Sequence, residues 1–330
     1  MLAALLAGCG DDDAAGADGA TGPGLDASAG SDADPSSPWA TRADVGEGAV
    51  QETAVTAVGG RVFVLGGFDT DAGIVPFVQV YDPATDAWSR GPDLPRPVHH
   101  ANAAVVDGVI YVVGALEGLS FAPLADVWSW DPNSDALVWA SHAPLPRPRG
   151  AAVTGVLGGR IVVAGGLAGG AVAWVDTYTP ALDQWQARAD LPAPRDHACG
   201  GVLGDALVVA GGRQAAIAST SAEVWAYSLA GDAWQARPPM PTGRGGAGCG
   251  VIDGRLIIVG GEGNPAVATG VFAQAEAYDP VAARWDVLPP MPRPRHGMGA
   301  AAIGPTLYVP GGANTDGFGA VAQHDALTPR

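Results

Sequence analysis

The chain has 330 residues, of which 15% are charged, and a formal charge of −17; all 17 of its basic residues are arginine. So large an acidic excess opposes the basic footprint that nucleic acid and anionic lipid surfaces select, and it excludes both as expected partners. The length suits one large all-β domain or two ordinary ones, and no apolar run approaches the ~18 residues of a membrane-spanning helix.

The first ten residues, Met1-Leu-Ala-Ala-Leu-Leu-Ala-Gly-Cys9-Gly10, are apolar and end in small side chains. Leu6-Ala7-Gly8-Cys9 resembles the bacterial lipobox, in which the cysteine thiol is acylated and becomes the first residue of the mature chain. That resemblance implies a lipid anchor on Cys9, attached to a membrane without crossing it. It implies residence in the cell envelope, on the periplasmic or outer surface, or secretion. A secretory signal also carries a positive n-region and an apolar h-region of about 7–15 residues. Neither is complete here, so residues 1–9 read as the remnant of a signal whose start lies further upstream. Residues 10–37 are Asp, Ala, Gly, Ser and Pro with almost nothing to bury, and are expected to be a disordered spacer. Their aspartates lack the spacing of a calcium loop.

From residue 38 the chain repeats. Six tryptophans (Trp39, Trp88, Trp139, Trp185, Trp234, Trp285) each open a frame that ends on a glycine stop (Gly66, Gly114, Gly165, Gly211, Gly260, Gly311). The spacing is 27 residues in the first frame and 26 in the other five. In its fourth copy the frame runs from Trp185 through Leu191-Pro-Ala-Pro-Arg195 into a small-residue strand, a Gly204-Asp205 turn and an apolar strand that stops on Gly211-Gly212. Two-residue turns such as Asp107-Gly108, Gly158-Gly159 and Asp253-Gly254 are hairpin signals. The apolar runs that follow, such as Arg255-Leu-Ile-Ile-Val259, suit strands covered on both faces. A loop of varying length then leads to a third strand ending in an aromatic residue, often followed by Asp-Pro, as in Tyr81-Asp82-Pro83 and Tyr278-Asp279-Pro280. Seven residues after the Tyr, or nine after Trp130, comes the next tryptophan on a fourth strand. Tyr and Trp on adjacent strands fill the wedge between sheets.

A glycine pair after an apolar strand, then Tyr-Asp-Pro, then Trp, is similar to the kelch motif, and the similarity covers residues 39–330. It implies an all-β fold: a six-bladed β-propeller of four-stranded blades over residues 38–330. The second repeat departs with Gly114-Ala115, and the sixth ends on a third strand near Val321–Ala326 with no tryptophan after it. The lone strand at about 38–43 is therefore expected to complete the last blade, closing the ring and covering both exposed edges.

The strand order places the loops after each glycine stop (68–76, 116–125, 167–172, 213–221, 262–273, 313–320) on one face with the Leu-Pro-x-Pro-Arg turns. The loops vary while the frame does not, so function is expected there. Arg149, Arg195, Arg244 and Arg295 each stand ten residues after their tryptophan, with Ala49 and Val98 in that place elsewhere. They read either as an anion-binding mouth or, as four copies at one spacing favour, as turn residues bonding backbone carbonyls. His99, His100, His197 and His296 stand eleven or twelve residues after theirs and enter the inner strands from the same face. Converging on the central funnel they would suit a metal or a titratable ligand site, but no carboxylate or cysteine accompanies them at ligand spacing, so no metal and no cofactor is expected. Glu117 and Glu262 follow their glycine stops closely and complete the ligand-binding candidates. Cys199 and Cys249, on inner strands of neighbouring blades, are candidates for a disulfide or for buried free thiols.

The expected function is a non-catalytic, lipid-anchored module, monomeric, binding a protein or glycan through its loop face. The alternative is an enzyme resembling periplasmic kelch-type sugar epimerases, which needs an Arg and a Glu or His converging in the funnel. A galactose-oxidase-like copper enzyme needs Tyr and His ligands, a Cys-Tyr partner and a further domain, and apart from Tyr111 and Tyr308 the tyrosines here are accounted for by third strands. An adaptor with a BTB domain finds no such domain in residues 1–38.

Overall fold

A computed structural model describes residues 36–329; Cys9 and almost all of the expected spacer lie outside them. The described residues form six antiparallel four-stranded sheets. Blade 1 is Ala54–Val58, Arg61–Leu65, Val78–Asp82 and Ala87–Arg90, counted from the axis outward, and blades 2 to 5 repeat that order along the chain. Blade 6 takes Ala301–Ile303, Thr306–Pro310 and His324–Leu327 from the end of the chain and its outermost strand, Trp39–Arg42, from the beginning. Trp39 pairs with Leu327 and Arg42 with His324. The inner strand of blade 6 packs against that of blade 1, so the ring is closed.

The blades are joined by hydrogen bonds at three radii. At the rim each repeat tryptophan donates its indole N–H to a backbone carbonyl of the preceding connection: Trp88 to Ala43, Trp185 to Ala143, Trp234 to Ala189 and Trp285 to Pro238 at 2.9 Å each. Trp39 does the same to Pro289 at 2.9 Å and Trp139 to Pro92 at 3.2 Å. Between rim and axis the second glycine of each stop donates its N–H to the turn entering the next blade, as from Gly67 to Val98 (2.9 Å) and from Gly261 to Arg295 (2.8 Å). Here the glycine is required. At Gly260 a Cβ would stand 2.3 Å from the Arg295 carbonyl oxygen, and Gly261 has φ +114°. At the axis one residue per blade closes a hoop, described below.

Blade 2 departs, for the reason its sequence suggests. Ala115 stands where the other blades carry a left-handed second glycine, so the strand does not break there. Val109–Glu117 runs on with a bulge at Val113/Ala115 and pairs to the end with Ala122–Trp130. The inter-blade donor that Ala115 cannot supply comes from a side chain. Buried Asn102 donates from Nδ2 to the carbonyls of Arg149 and Val113 (2.9 Å each) and accepts from the Ala152 N–H (2.8 Å).

Blade 6 lacks the third-strand tyrosine: Leu327 occupies that register, beside Trp39. Leu327 packs there on blade 5, while the opposite wedge, towards blade 1, holds His324, fully buried against Tyr81, Trp88 and Tyr308 at ring separations of 4.5, 5.5 and 6.0 Å. Its Nδ1 faces the Ala43 carbonyl at 3.2 Å.

Asn102 and His324 each give a testable outcome. Asn102→Ala strands the Arg149 carbonyl in the interior and should lower unfolding free energy in urea by about 2–3 kcal/mol. Burial holds His324 down to about 4 from an ordinary 6.5. The unfolded chain therefore takes up its proton first, and the stability contributed by neutral His324 is lost as pH falls from 6.5 towards 4. At ~1.4 kcal/mol per pKa unit that loss is about 3 kcal/mol. His324→Phe keeps the ring packing and leaves Ala43 O bonded to Trp88, so urea titrations across that window should show a shallower acid loss.

Candidate functional site

The inner end of each turn delivers one residue to the axis: Glu52, His100, Ala151, His197, Gly246 and Gly297. All six are left-handed, with φ between 50° and 61°. Each donates its N–H to the carbonyl of its counterpart in the preceding blade, from His100 to Glu52 (2.9 Å), Ala151 to His100 (2.9 Å), His197 to Ala151 (3.1 Å), Gly246 to His197 (2.9 Å), Gly297 to Gly246 (2.8 Å) and Glu52 to Gly297 (2.5 Å). The hoop crowns a central cavity of about 280 Å³ lined by small residues of the inner strands, among them Ala101, Ala152, Ala198 and Ala300. Four of the six carry a Cβ in a region that disfavours it, and three of those four are Glu or His.

Their side chains meet. Glu52 Oε2 lies 3.1 Å from His100 Nε2 and 3.9 Å from His197 Nε2, although Glu52 and His197 belong to blades on opposite sides of the ring. The ligand-type atoms of Glu52, His100 and His197 all lie within 4.8 Å of one another. The loop-face residue before each hoop position pairs with the residue after a glycine stop, as in His99 with Leu116, Asp196 with Arg213, Gly245 with Glu262 and His296 with Ala313. This pairing brings further charged groups to the mouth. Asp196 Oδ1 is 2.6 Å from His197 Nδ1 and accepts from Arg213 Nε at 3.1 Å. Arg213 pairs also with Glu262, and His296 Nδ1 lies 3.3 Å from Glu262 Oε2 and 3.7 Å from Glu52 Oε1.

Burial raises the Glu52 carboxyl, but the imidazoles of His100, His197 and His296 outweigh it and hold Glu52 well below the usual carboxylate range. Burial, reinforced by His100, pushes His99 down to about 4. His197 is lowered by burial and by Arg213.

The four repeated arginines are elsewhere. Arg149 is completely buried in its blade, donating to the carbonyls of Gly165 (2.8 Å), Arg147 (2.6 Å) and Val163 (3.0 Å) and pairing with Asp176 at 2.9 Å. Arg244 bonds the Thr242 and Ile258 carbonyls and Glu276 at 2.5 Å; Arg295 bonds Val309 O and Asp325 at 2.6 Å. Arg195 pairs with Glu223 and reaches Gly211 O at 3.4 Å. Each of these blades supplies its own acid, whereas blades 1 and 2 have valines in the arginine position. In blade 1 that valine is Val50, whose carbonyl accepts from Gly312. The extra residue of the first frame lies before it, so Val50 and not Ala49 is the structural counterpart. These guanidiniums do not line the funnel, so the Arg convergence that an epimerase-like site needs does not form from them.

Glu117 is at the rim of its hairpin, paired with Arg96, and does not reach the axis. Cys199 and Cys249 are adjacent but unbonded: the Cys199 thiol donates to Ala247 O at 3.2 Å, and Cys249 Sγ accepts from the Gly200 N–H at 3.2 Å. His99, His100, His197, His296 and Glu262 do assemble at the mouth. Glu52, Asp196 and Arg213 join them although their sequence positions had not singled them out. The signal for Glu52 was the extra residue of the first frame: counted back from the glycine stop, Glu52 falls in register with His100 and His197.

This geometry defines a six-bladed β-propeller with a polar axial mouth. The Kelch motif matches residues 52–95 and 243–292. The chain is 34% identical over 129 residues to the Kelch-like protein terF of Aspergillus terreus, 36% of this chain and 27% of that protein. It is 33% identical over 131 residues to mouse Kelch-like protein 35 and 33% over 116 residues to beta-scruin of Limulus polyphemus. Those alignments cover 40% and 34% of this chain but only 21% and 12% of the relatives, so the similarity spans about a quarter or less of each relative's length. Six four-stranded blades, with the motif matched in the first and the fifth, place the chain with the kelch-repeat propellers.

Arg244→Met leaves Glu276, 2% exposed, as an unpaired buried charge. It should destabilise the fold by about 3–5 kcal/mol, read as a lower urea midpoint.

Proposed function

We propose that this chain is an exported, lipid-anchored kelch propeller that binds a protein partner through its loop face, without catalysis of its own. The observation that carries the reading is a pair of exposed apolar side chains on the loops of blades 6 and 2, with the buried Phe68 of blade 1 between them. Phe318 and Leu119 are 51% and 65% exposed. Phe68 joins their two loops, its ring 5.2 Å from that of Phe318 and 6.0 Å from that of Phe121. Exposed aromatic residues on a rigid frame are the usual anchors of a protein interface. Kelch membership supports an interaction module, and the lipobox-like Leu6-Ala7-Gly8-Cys9 supports the anchor and a place in the cell envelope.

The full chain carrying a photo-crosslinker at residue 320 should capture a discrete protein in the membrane fraction. Phe318→Asp with Leu119→Asp should abolish capture while leaving stability within about 0.5 kcal/mol, as surface changes do. Cys9→Ser should release the protein from the membrane fraction. Capture of a polysaccharide would make the ligand a glycan; capture indifferent to the paired substitution would refute the loop-face reading.

A further inference from the structure

We propose that Glu52, His100 and His197 form a binding site for a divalent transition-metal ion of the zinc type on the propeller axis, a role beyond partner binding by the loops.

Convergent geometry carries the proposal. His99 Nε2 lies 3.0 Å from the Gly118 carbonyl, which can only accept, so that nitrogen bears the proton. Neutral His99 then has a bare Nδ1, and His100 Nδ1, 2.5 Å away, must donate to it. That turns His100 Nε2 towards the axis, 3.1 Å from Glu52 Oε2. His197 repeats the pattern. Its Nδ1 donates to Asp196 at 2.6 Å, and its Nε2 lone pair is turned towards the same carboxylate oxygen at 3.9 Å. Arg213 Nη2 does not fill that position. At 2.6 and 2.8 Å from the two ring nitrogens it lies over the face of the imidazole, out of line with the in-plane lone pair. Three ligand-type atoms from three blades thus converge within 4.8 Å of one another.

Two buried polar atoms without a partner stand beside them. His296 Nε2 donates to the Thr315 carbonyl at 2.8 Å, which turns Nδ1 towards the axis. His296 Nδ1 and Glu262 Oε2, 3.3 Å apart and deeply buried, both have no hydrogen-bond partner.

The dimensions and charge fit a cation. Donors about 2.0–2.2 Å from a tetrahedral ion stand roughly 3.3–3.6 Å from each other, and the observed 3.1 and 3.9 Å bracket that range. Two imidazoles and one carboxylate suit zinc and its neighbours and leave a coordination position open. Asp196 on His197 and His99 on His100 are the outer partners that orient ligating histidines. Three carboxylates (Glu52, Asp196, Glu262) face one guanidinium (Arg213), and a divalent ion cancels the excess. Gly297 makes room: a Cβ there would stand 2.6 Å from Glu52 Oε1.

The test uses the full chain, stripped with chelator and titrated with ZnCl₂ or CoCl₂. The expected result is one tightly bound equivalent and, with Co²⁺, the intense visible bands of a four- or five-coordinate ion, which an all-carboxylate site on the acidic N-terminal segment would not give. Glu52→Gln and His197→Gln should each lose that equivalent at concentrations that saturate the wild type. Asp196→Asn should weaken binding by about 10–100-fold, and His142→Gln, remote from the axis, should leave it unchanged. Circular dichroism of each metal-free variant monitors folding. Should either ligand variant fail to fold, His100→Asn and the zinc-dependent rise in wild-type melting temperature replace it. No stoichiometric binding by the wild type, or undiminished binding by folded ligand variants, would overturn the site.

Discussion

The structure depends on hydrogen bonding between blades. A four-stranded sheet satisfies its own ladder but leaves two edges and two apolar faces, and only its neighbours can cover them. Here the neighbours are linked at the axis by the hoop from Glu52 to Gly297, at mid-radius by the second glycine of five stops and by Asn102 in blade 2, and at the rim by the tryptophan indoles. The segment from a tryptophan to its glycine stop crosses from rim to axis and returns, touching all three sets of links. An inserted residue would pull one link out of place, which accounts for the constant 26-residue spacing. The first frame absorbs its extra residue before Val50, in the stretch that enters blade 1 from the strand that closes the ring.

The axial links also create the chemistry. A left-handed residue in each blade turns the chain into its inner strand, and glycine is the undemanding choice there. The chain uses glycine in blades 5 and 6 and alanine in blade 3, but Glu or His in blades 1, 2 and 4. Placing large polar side chains in a disfavoured backbone region, buried and facing one another, costs stability with no packing return. Such local conflicts concentrate at functional sites. The repeated arginines show the opposite economy: each is matched by an acid of its own blade and holds a turn to two strands.

Much of the fold was legible because its signals are local and repeated. Trp, Gly-Gly and the hairpin turns recur at fixed spacing, and a missing fourth strand at one end with a surplus one at the other leaves one way to close the ring. The arginines were legible as turn residues for the same reason. The site was only half legible. His99, His100, His197 and His296 stood out by breaking the repeat, but Glu52 was hidden by a one-residue shift in register. Arg213 and Asp196 become site residues only through the bridge between a turn and the loop beyond a glycine stop. Asn102 likewise reads as an ordinary polar residue until the Arg149 carbonyl is seen to need its donor.

The amino-acid sequence by itself determined the blade count, the strand order, the shared strand that closes the ring and the face on which the loops gather. Each follows from periodicity, turn chemistry and the need to cover sheet edges, and these act over a few residues or are repeated six times. Only the tertiary structure decided that side chains from opposite blades touch across the axis. That distance depends on how far six left-handed residues draw the inner strands together, and spacing along one strand carries no information about the gap between two.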